Sequence, residues 1–290
     1  MTTSKIPWTD CTWNIVTGCS RVSTGCQNCY AATMTKRLKA MGQVKYAAGF
    51  DTVVCHPDEL NKPLRWKKPR RVFVNSMSDL FHEDVPFRFI NLVFITMAYA
   101  RQHTFQVLTK RPHRIAPFLE YAEREGYART LPLDLCLPNV WLGTSIENQA
   151  TANLRIPHLR RCPAAVRFLS LEPLLGSVEI PSDQCSSTGD GNRCTKRMGH
   201  RGHHYALRPT GGWGRKEEPR PMSIGWFIIG CESGPRRRPC ELDWVRSLVQ
   251  QGRDAGVPVF VKQVSINGRV SKDPAEWPED LRVQQWPKGA

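Results

Sequence analysis

No run of apolar residues in this sequence approaches the roughly 20 residues needed to cross a bilayer, and the opening MTTSKIPWTD carries no charged-then-apolar leader. Acidic residues are scarce as well: 26 Asp and Glu stand against 41 Lys and Arg, a formal charge of +15. The first two absences argue against membrane association. The third argues for an anionic partner, with nucleic acid heading the list; a basic surface serving only solubility is the plainer alternative. The 11 cysteines cannot all pair off, being odd in number. With no leader, a reducing cytoplasm is expected, and the cysteines read as ligands or core residues rather than disulfides.

The 290 residues suffice for one barrel-sized α/β domain. Residues 13–30, WNIVTGCSRVSTGCQNCY, place Cys19, Cys26 and Cys29 in the spacing C-x6-C-x2-C. Three thiolates in one polar loop suggest a metal. A structural zinc ion takes four protein ligands, whereas three leave a position open for a substrate or cofactor. On a [4Fe-4S] cubane, three cysteines leave one iron free. A zinc ion completed from elsewhere and unligated thiols remain as alternatives. Cys11 precedes the adjoining strand-like segment and is set aside as a fourth ligand.

A short apolar segment at 12–16 reads as a strand before this loop, and the basic stretch 31–41 as a helix after it. Residues 42–49 read as a flexible connection, and 53–65 are ambiguous. Six further apolar runs follow, each closed by polar or small residues: 71–74 before NSMSD, 105–108 before TKRP, 140–142 before GTSIEN, 166–169 before SLEP, 226–229 before GCESG and 257–261 before KQ. Their length and β-branched content predict buried parallel strands. Apolar stripes predict helices at 87–100, 114–125 and 243–255. Strand followed by helix implies right-handed crossovers. The expected fold is therefore α/β, a partial or complete parallel βα barrel of about six strands built from residues 1–180 and 223–290, with a doubly wound open sheet as the alternative.

In either fold the residues just past the carboxyl ends of the strands line the active site. That rule gathers the three cysteines with Asn75, Ser76, Asp79, Thr109, Lys110, Thr144, Ser145, Glu147, Ser170, Glu172, Glu232, Ser233, Lys262 and Gln263. Each alone is an ordinary cap or loop residue; their recurrence after strand upon strand points to a site.

Between 181 and 222 the hydrophobic pattern stops. This insertion holds Cys185, Cys194, His200 and His204 in the spacing C-x8-C-x5-H-x3-H, which suits a closed tetrahedral Zn2+, with His203 able to replace His204. A disordered basic loop is the alternative. The insertion carries Arg193, Lys196, Arg197, Arg201, Arg208, Arg215 and Lys216, and Arg236, Arg237 and Arg238 follow the sixth strand. Both groups are expected to hold a phosphate backbone, with Trp213 stacking on a base.

The cysteine loop, VWLGTSIEN, VRFLSLEPLLG and WFIIGCESGPRRRP, in that order over residues 8–263, together resemble a phage-borne family of radical S-adenosylmethionine-like proteins, widespread in phages and bacteria and mostly of unassigned function. The wider superfamily spaces its cysteines C-x3-C-x2-C; this family shares the longer first gap seen here. The resemblance implies a [4Fe-4S] cluster on Cys19, Cys26 and Cys29, with S-adenosyl-L-methionine bound through its amino and carboxyl groups to the open iron. It also implies an external electron donor, and reductive cleavage of the cofactor to methionine and a hydrogen-abstracting 5′-deoxyadenosyl radical. By the same resemblance Asn75, Ser76 and Asp79 fall in the segment contacting the methionine amine, and Thr144, Ser145 and Glu147 in the ribose-contacting segment. Tyr30 joins the cofactor-binding group, while Glu172 and Glu232 orient cofactor or substrate. Two residues depart from the family pattern: Cys231 stands in place of a second glycine and Cys11 in place of a small residue such as alanine. Either is a hydrogen-atom donor or a packed side chain.

The resulting expectation is a radical enzyme modifying or rearranging a nucleic-acid base, DNA above all, as in phage DNA hypermodification. The rivals are a repair enzyme acting on damaged bases and a non-catalytic, zinc-stabilised nucleic-acid-binding module.

Overall fold

The computed structural model describes residues 4–126, 137–181 and 223–287. The expected zinc ligands Cys185, Cys194, His200 and His204, and Trp213, lie outside the described residues.

Ten strands are described: β1 (Cys11–Trp13), β2 (Val16–Thr17), β3 (Val54–Cys55), β4 (Arg71–Val74), β5 (Thr104–Thr109), β6 (Val140–Ser145), β7 (Val166–Leu171), β8 (Trp226–Gly230), β9 (Val259–Ile266) and β10 (Arg269–Ser271). Five helices accompany them: α1 (Tyr30–Ala40), α2 (Phe87–Tyr99), α3 (Ile115–Arg124), α4 (Gln149–Arg160) and α5 (Leu242–Ala255). Eight strands form one sheet in the order β1-β4-β5-β6-β7-β8-β9-β10, parallel throughout except for β10. Among the described strands the order never reverses, so they present no switch point of the doubly wound kind. Nor do the described strands close a barrel: β1 pairs only with β4, and the other edge ends at β10. No described helix is long and apolar enough to cross a membrane.

Both faces of the parallel strands are buried, as their unbroken apolar runs require. Val72, Val107, Leu142, Leu169, Ile229 and Val261 pack into the core shared with the helices, against Phe94, Phe118, Leu159 and Leu248. The alternate residues Phe73, Trp141, Phe168, Trp226 and Phe260 form a second, aromatic cluster around Trp8. Trp8 lies 4.7 Å from the Phe73 ring and 6.4 Å from both Phe168 and Trp226. One indole thus touches β4, β7 and β8, which means that the sheet curls around it. Each fully buried large side chain contributes roughly 1.5–3 kcal/mol, so the curl is held by its filling.

Three elements differ from the sequence expectation. The strand expected at 12–16 is split, because Asn75 Oδ1 accepts from Ile15 N and Val16 N at 3.0 and 3.1 Å. Those amides leave the main ladder, and Val16–Thr17 pairs instead with β3. Helix α4 was not anticipated: it contains Pro157 and buries Arg155 and Arg160, which blurs its apolar stripe, although Asn148 and Thr151 form a capping box at its start. The β9–β10 hairpin turns on Asn267 and Gly268, both at positive φ (48° and 73°), as an Asn-Gly pair favours.

Candidate active site

At the carboxyl ends of the parallel strands lies a cavity of about 540 Å³, lined by Cys19, Cys26, Cys29 and Tyr30 together with every expected strand-end residue except Thr144 and Glu147. The Thr144 hydroxyl donates to the Thr109 carbonyl at 2.7 Å, tying β6 to β5. Glu147 is fully buried and faces the back of the cysteine loop, where it accepts from Ser23 Oγ (2.8 Å), Lys110 Nζ (2.6 Å) and Arg155 Nη1 (2.8 Å). Burial alone would raise its pKa, but Lys110, Arg155 and the Ser23 hydroxyl outweigh that and hold it below the ordinary glutamate range. Gly25 presses on the same carboxylate; a Cβ there would meet Glu147 Cγ at 2.4 Å.

Two further anchors hold the loop. Arg111, 1% exposed, reaches Cys19 Sγ at 3.8 Å, Ser20 Oγ at 2.8 Å, Asp79 Oδ2 at 3.2 Å and Glu83 Oε2 at 2.6 Å. On the other side Glu232 accepts from Asn28 Nδ2 at 3.0 Å and from Arg238 Nη2 at 2.6 Å, while Arg238 Nη1 donates to the Thr24 carbonyl at 3.0 Å. Burial would raise the Glu232 pKa, and its bonds from Arg238 and Asn28 bring it down instead. Of the three arginines expected to meet phosphate, Arg238 is thus committed to Glu232, Arg237 donates to the Gly234 and Gly268 carbonyls, and Arg236 is exposed.

Asp79 is saturated by Thr109 Oγ1 (2.7 Å), Phe81 N (2.9 Å), Lys110 N (3.0 Å) and Arg111. Asn75 is buried at φ 58°, and its Nδ2 has no partner. Because Oδ1 takes two backbone N–H groups, the amide cannot be the other way round, so a buried donor in the cavity wall is left without a partner. Tyr30 donates to the Ser76 carbonyl, and Lys262 Nζ to Glu172 Oε1 at 2.5 Å.

Cys11 and Cys231 are buried in the helix-side core and do not line the cavity. Burial pushes the Cys231 thiol up to about 12, and burial with nearby Asp79 pushes Cys19 up to about 11. No three His, Cys, Asp or Glu side chains among the described residues converge tightly enough for a single metal ion. Arg111, Arg155 and the inward role of Arg238 escaped the sequence reading, since basic residues beside Lys110 or in an Arg run look like a solvated surface.

Fold and site define an α/β protein whose mostly parallel, curled sheet presents a three-cysteine cavity at its strand tips. The chain belongs to the family described as Protein of unknown function (DUF5131), whose model matches residues 3–282. No curated protein matches it. Among solved structures it is similar to a mutant of spore photoproduct lyase, at 15% identity and a TM-score of 0.41, over 59% of this chain and 48% of that one. Spore photoproduct lyase complexed with dinucleoside spore photoproduct, and a mutant with bound AdoMet and the same dinucleoside, each match at 13% identity and a TM-score of 0.40 over the same shares. The match spans about half the length of those proteins.

Proposed function

We propose that this chain is a radical S-adenosylmethionine enzyme that holds a [4Fe-4S] cluster on Cys19, Cys26 and Cys29 and acts on a nucleic-acid base, modifying or rearranging it. The observation that carries this reading is the donor set: three cysteines from one loop, and no fourth cysteine or any histidine among the described residues, line a single cavity. A closed zinc site wants four such ligands. A cubane takes each thiolate on a different iron, so its ligands need not converge on one point, and three of them leave one iron open. The cavity is of the size that small cofactors occupy.

When bound, the cluster and S-adenosylmethionine supply one-electron chemistry, the reductive cleavage of the cofactor to a carbon-centred radical, with the electron coming from an external donor. The chain's own residues supply position and enclosure. The orphan Asn75 Nδ2 is a donor, so its complement is the cofactor's carboxylate rather than its amine. Asp79 and Glu232 are saturated by protein donors and act as scaffold. The Glu172–Lys262 pair, with side chains 19% and 16% exposed, stays within reach of a ligand. Exposed Lys5, Arg21 and Lys272 line the cavity, and Arg236 adjoins the loop, its carbonyl accepting from Asn28. These cations suit phosphates, which fix a nucleic acid's position without reading its sequence.

The test is anaerobic purification with iron and sulfide analysis, followed by reduction with S-adenosylmethionine. Iron and sulfide in equal amounts, lost in Cys26→Ala, and release of 5′-deoxyadenosine are expected. A colourless protein that holds zinc alone and binds nucleic acid would replace this reading with the binding-module one.

A further inference from the structure

The tip of β9 departs from regular pairing. Ile229 of β8 pairs with Val261, yet the next residue, Gly230, pairs with Gln263, so Lys262 is an extra residue in the strand. In a regular strand Lys262 and Gln263 would point to opposite faces. The bulge re-aims them, and both line the cavity. Gly230 makes room for this: a Cβ there would lie 3.2 Å from Glu172 Cδ and 3.4 Å from Gln263 Cγ.

Gln263 is 1% exposed. Its Nε2 donates to the Cys231 carbonyl at 2.6 Å, which fixes the orientation of the amide, since a carbonyl oxygen accepts only from a donor. Its Oε1 is left buried with no partner. Beside it, Lys262 spends one N–H on Glu172 and has two more to give. The wall therefore offers a fixed, desolvated acceptor next to a cationic donor.

We infer that the bulged Lys262–Gln263 pair is a base-reading wall: it takes the polar edge of a nucleobase, with a ring or amino N–H on Gln263 Oε1 and the adjoining acceptor on Lys262 Nζ. A phosphate would leave Gln263 Oε1 unsatisfied, and a lone sugar hydroxyl would have to serve both side chains with one atom, whereas every base has an edge with an N–H beside a separate acceptor. Two ligands of the proposed function carry such an edge, the adenine of the cofactor and a base of the nucleic acid. The inference rests on that reading of the cavity.

The experiment measures equilibrium binding of S-adenosylmethionine and, separately, of a short single-stranded DNA to iron-loaded wild type, Gln263→Met and Lys262→Met. About a tenfold or greater loss for one ligand in both variants is expected, and the ligand that suffers identifies the base that is read. Methionine serves as a probe without a base, and its binding is expected not to change. Lys262 is partly exposed, so Lys262→Met carries the test if Gln263→Met does not fold. Unchanged affinity for both ligands, or equal losses for methionine, overturns the wall. Iron content of the wild type reports on the cluster independently, so an iron-free wild type sinks the proposed function, while an iron-loaded one with unaltered affinities sinks the wall alone.

Discussion

Arg111 Nη1 donates to Cys19 Sγ across 3.8 Å while the same guanidinium holds Glu83 at 2.6 Å. A thiolate that accepts from a buried cation is a weaker electron donor to its iron, and hydrogen bonds to sulfur are among the factors that set cluster potentials. In the iron-loaded protein, Arg111→Gln is expected to make the potential more negative. Glu83→Gln leaves the arginine less neutralised and is expected to make it more positive. Each shift should be on the order of 60 mV, the one-electron equivalent of a tenfold change in equilibrium. A redox titration followed by electron paramagnetic resonance checks this; a purely structural Arg111 would not give opposite signs.

Glu147 is buried between Lys110 and Arg155, and removing one partner of such a cluster strands the others. Glu147→Ala is expected to lower stability by about 3–5 kcal/mol, read as the denaturant midpoint, and to deplete iron because Ser23 loses its acceptor. The pH dependence follows from the lowered pKa. Glu147 contributes its full stabilisation above the ordinary glutamate value of 4.5 and loses it as the pH falls through the lower folded value. Wild type should therefore lose stability on acidification below 4.5 more steeply than Glu147→Gln.

Gly25→Ala places a methyl group against the Glu147 carboxylate. Overpacking of this kind costs typically 1–3 kcal/mol, and here it pushes on the loop between Cys19 and Cys26. Lower iron content, with secondary structure retained by circular dichroism, is the expected result. Gly42→Ala is the control, since nothing lies within 4 Å of its position; its strain at φ 71° affects stability without touching the loop.

Binding of nucleic acid across Lys5, Arg21, Arg236 and Lys272 should weaken linearly as log[salt] rises, and each charge removed should lower the slope by about one. Fluorescence anisotropy from 50 to 200 mM salt measures it. A slope near zero would remove these residues from a phosphate-binding role.

The strand tips were legible because each apolar run ends abruptly in polar residues, so the sequence itself marked where Asn75, Thr109, Ser145, Ser170 and Gln263 would gather. The anchors of the cysteine loop were not. Ser23 meets Glu147 across 124 positions and Asn28 meets Glu232 across 204, and no local pattern encodes such pairs. The place of Glu147 behind the loop was not legible for a related reason. Its direction is set by Arg155 on α4, a helix whose proline and buried arginines hid it, although its capping box stood in the sequence. The Asn267-Gly268 turn was equally readable, and with it the returning strand β10.

Trp8 and Phe73 belong both to the aromatic cluster and to the cavity lining, so the hollow has a bottom of interlocked rings and no rear exit on that side. Whatever settles deepest must arrive first and depart last. If a long polymer lies over the mouth, a small molecule beneath it stays trapped until the polymer lifts, and turnover is then paced by unbinding rather than by bond-breaking.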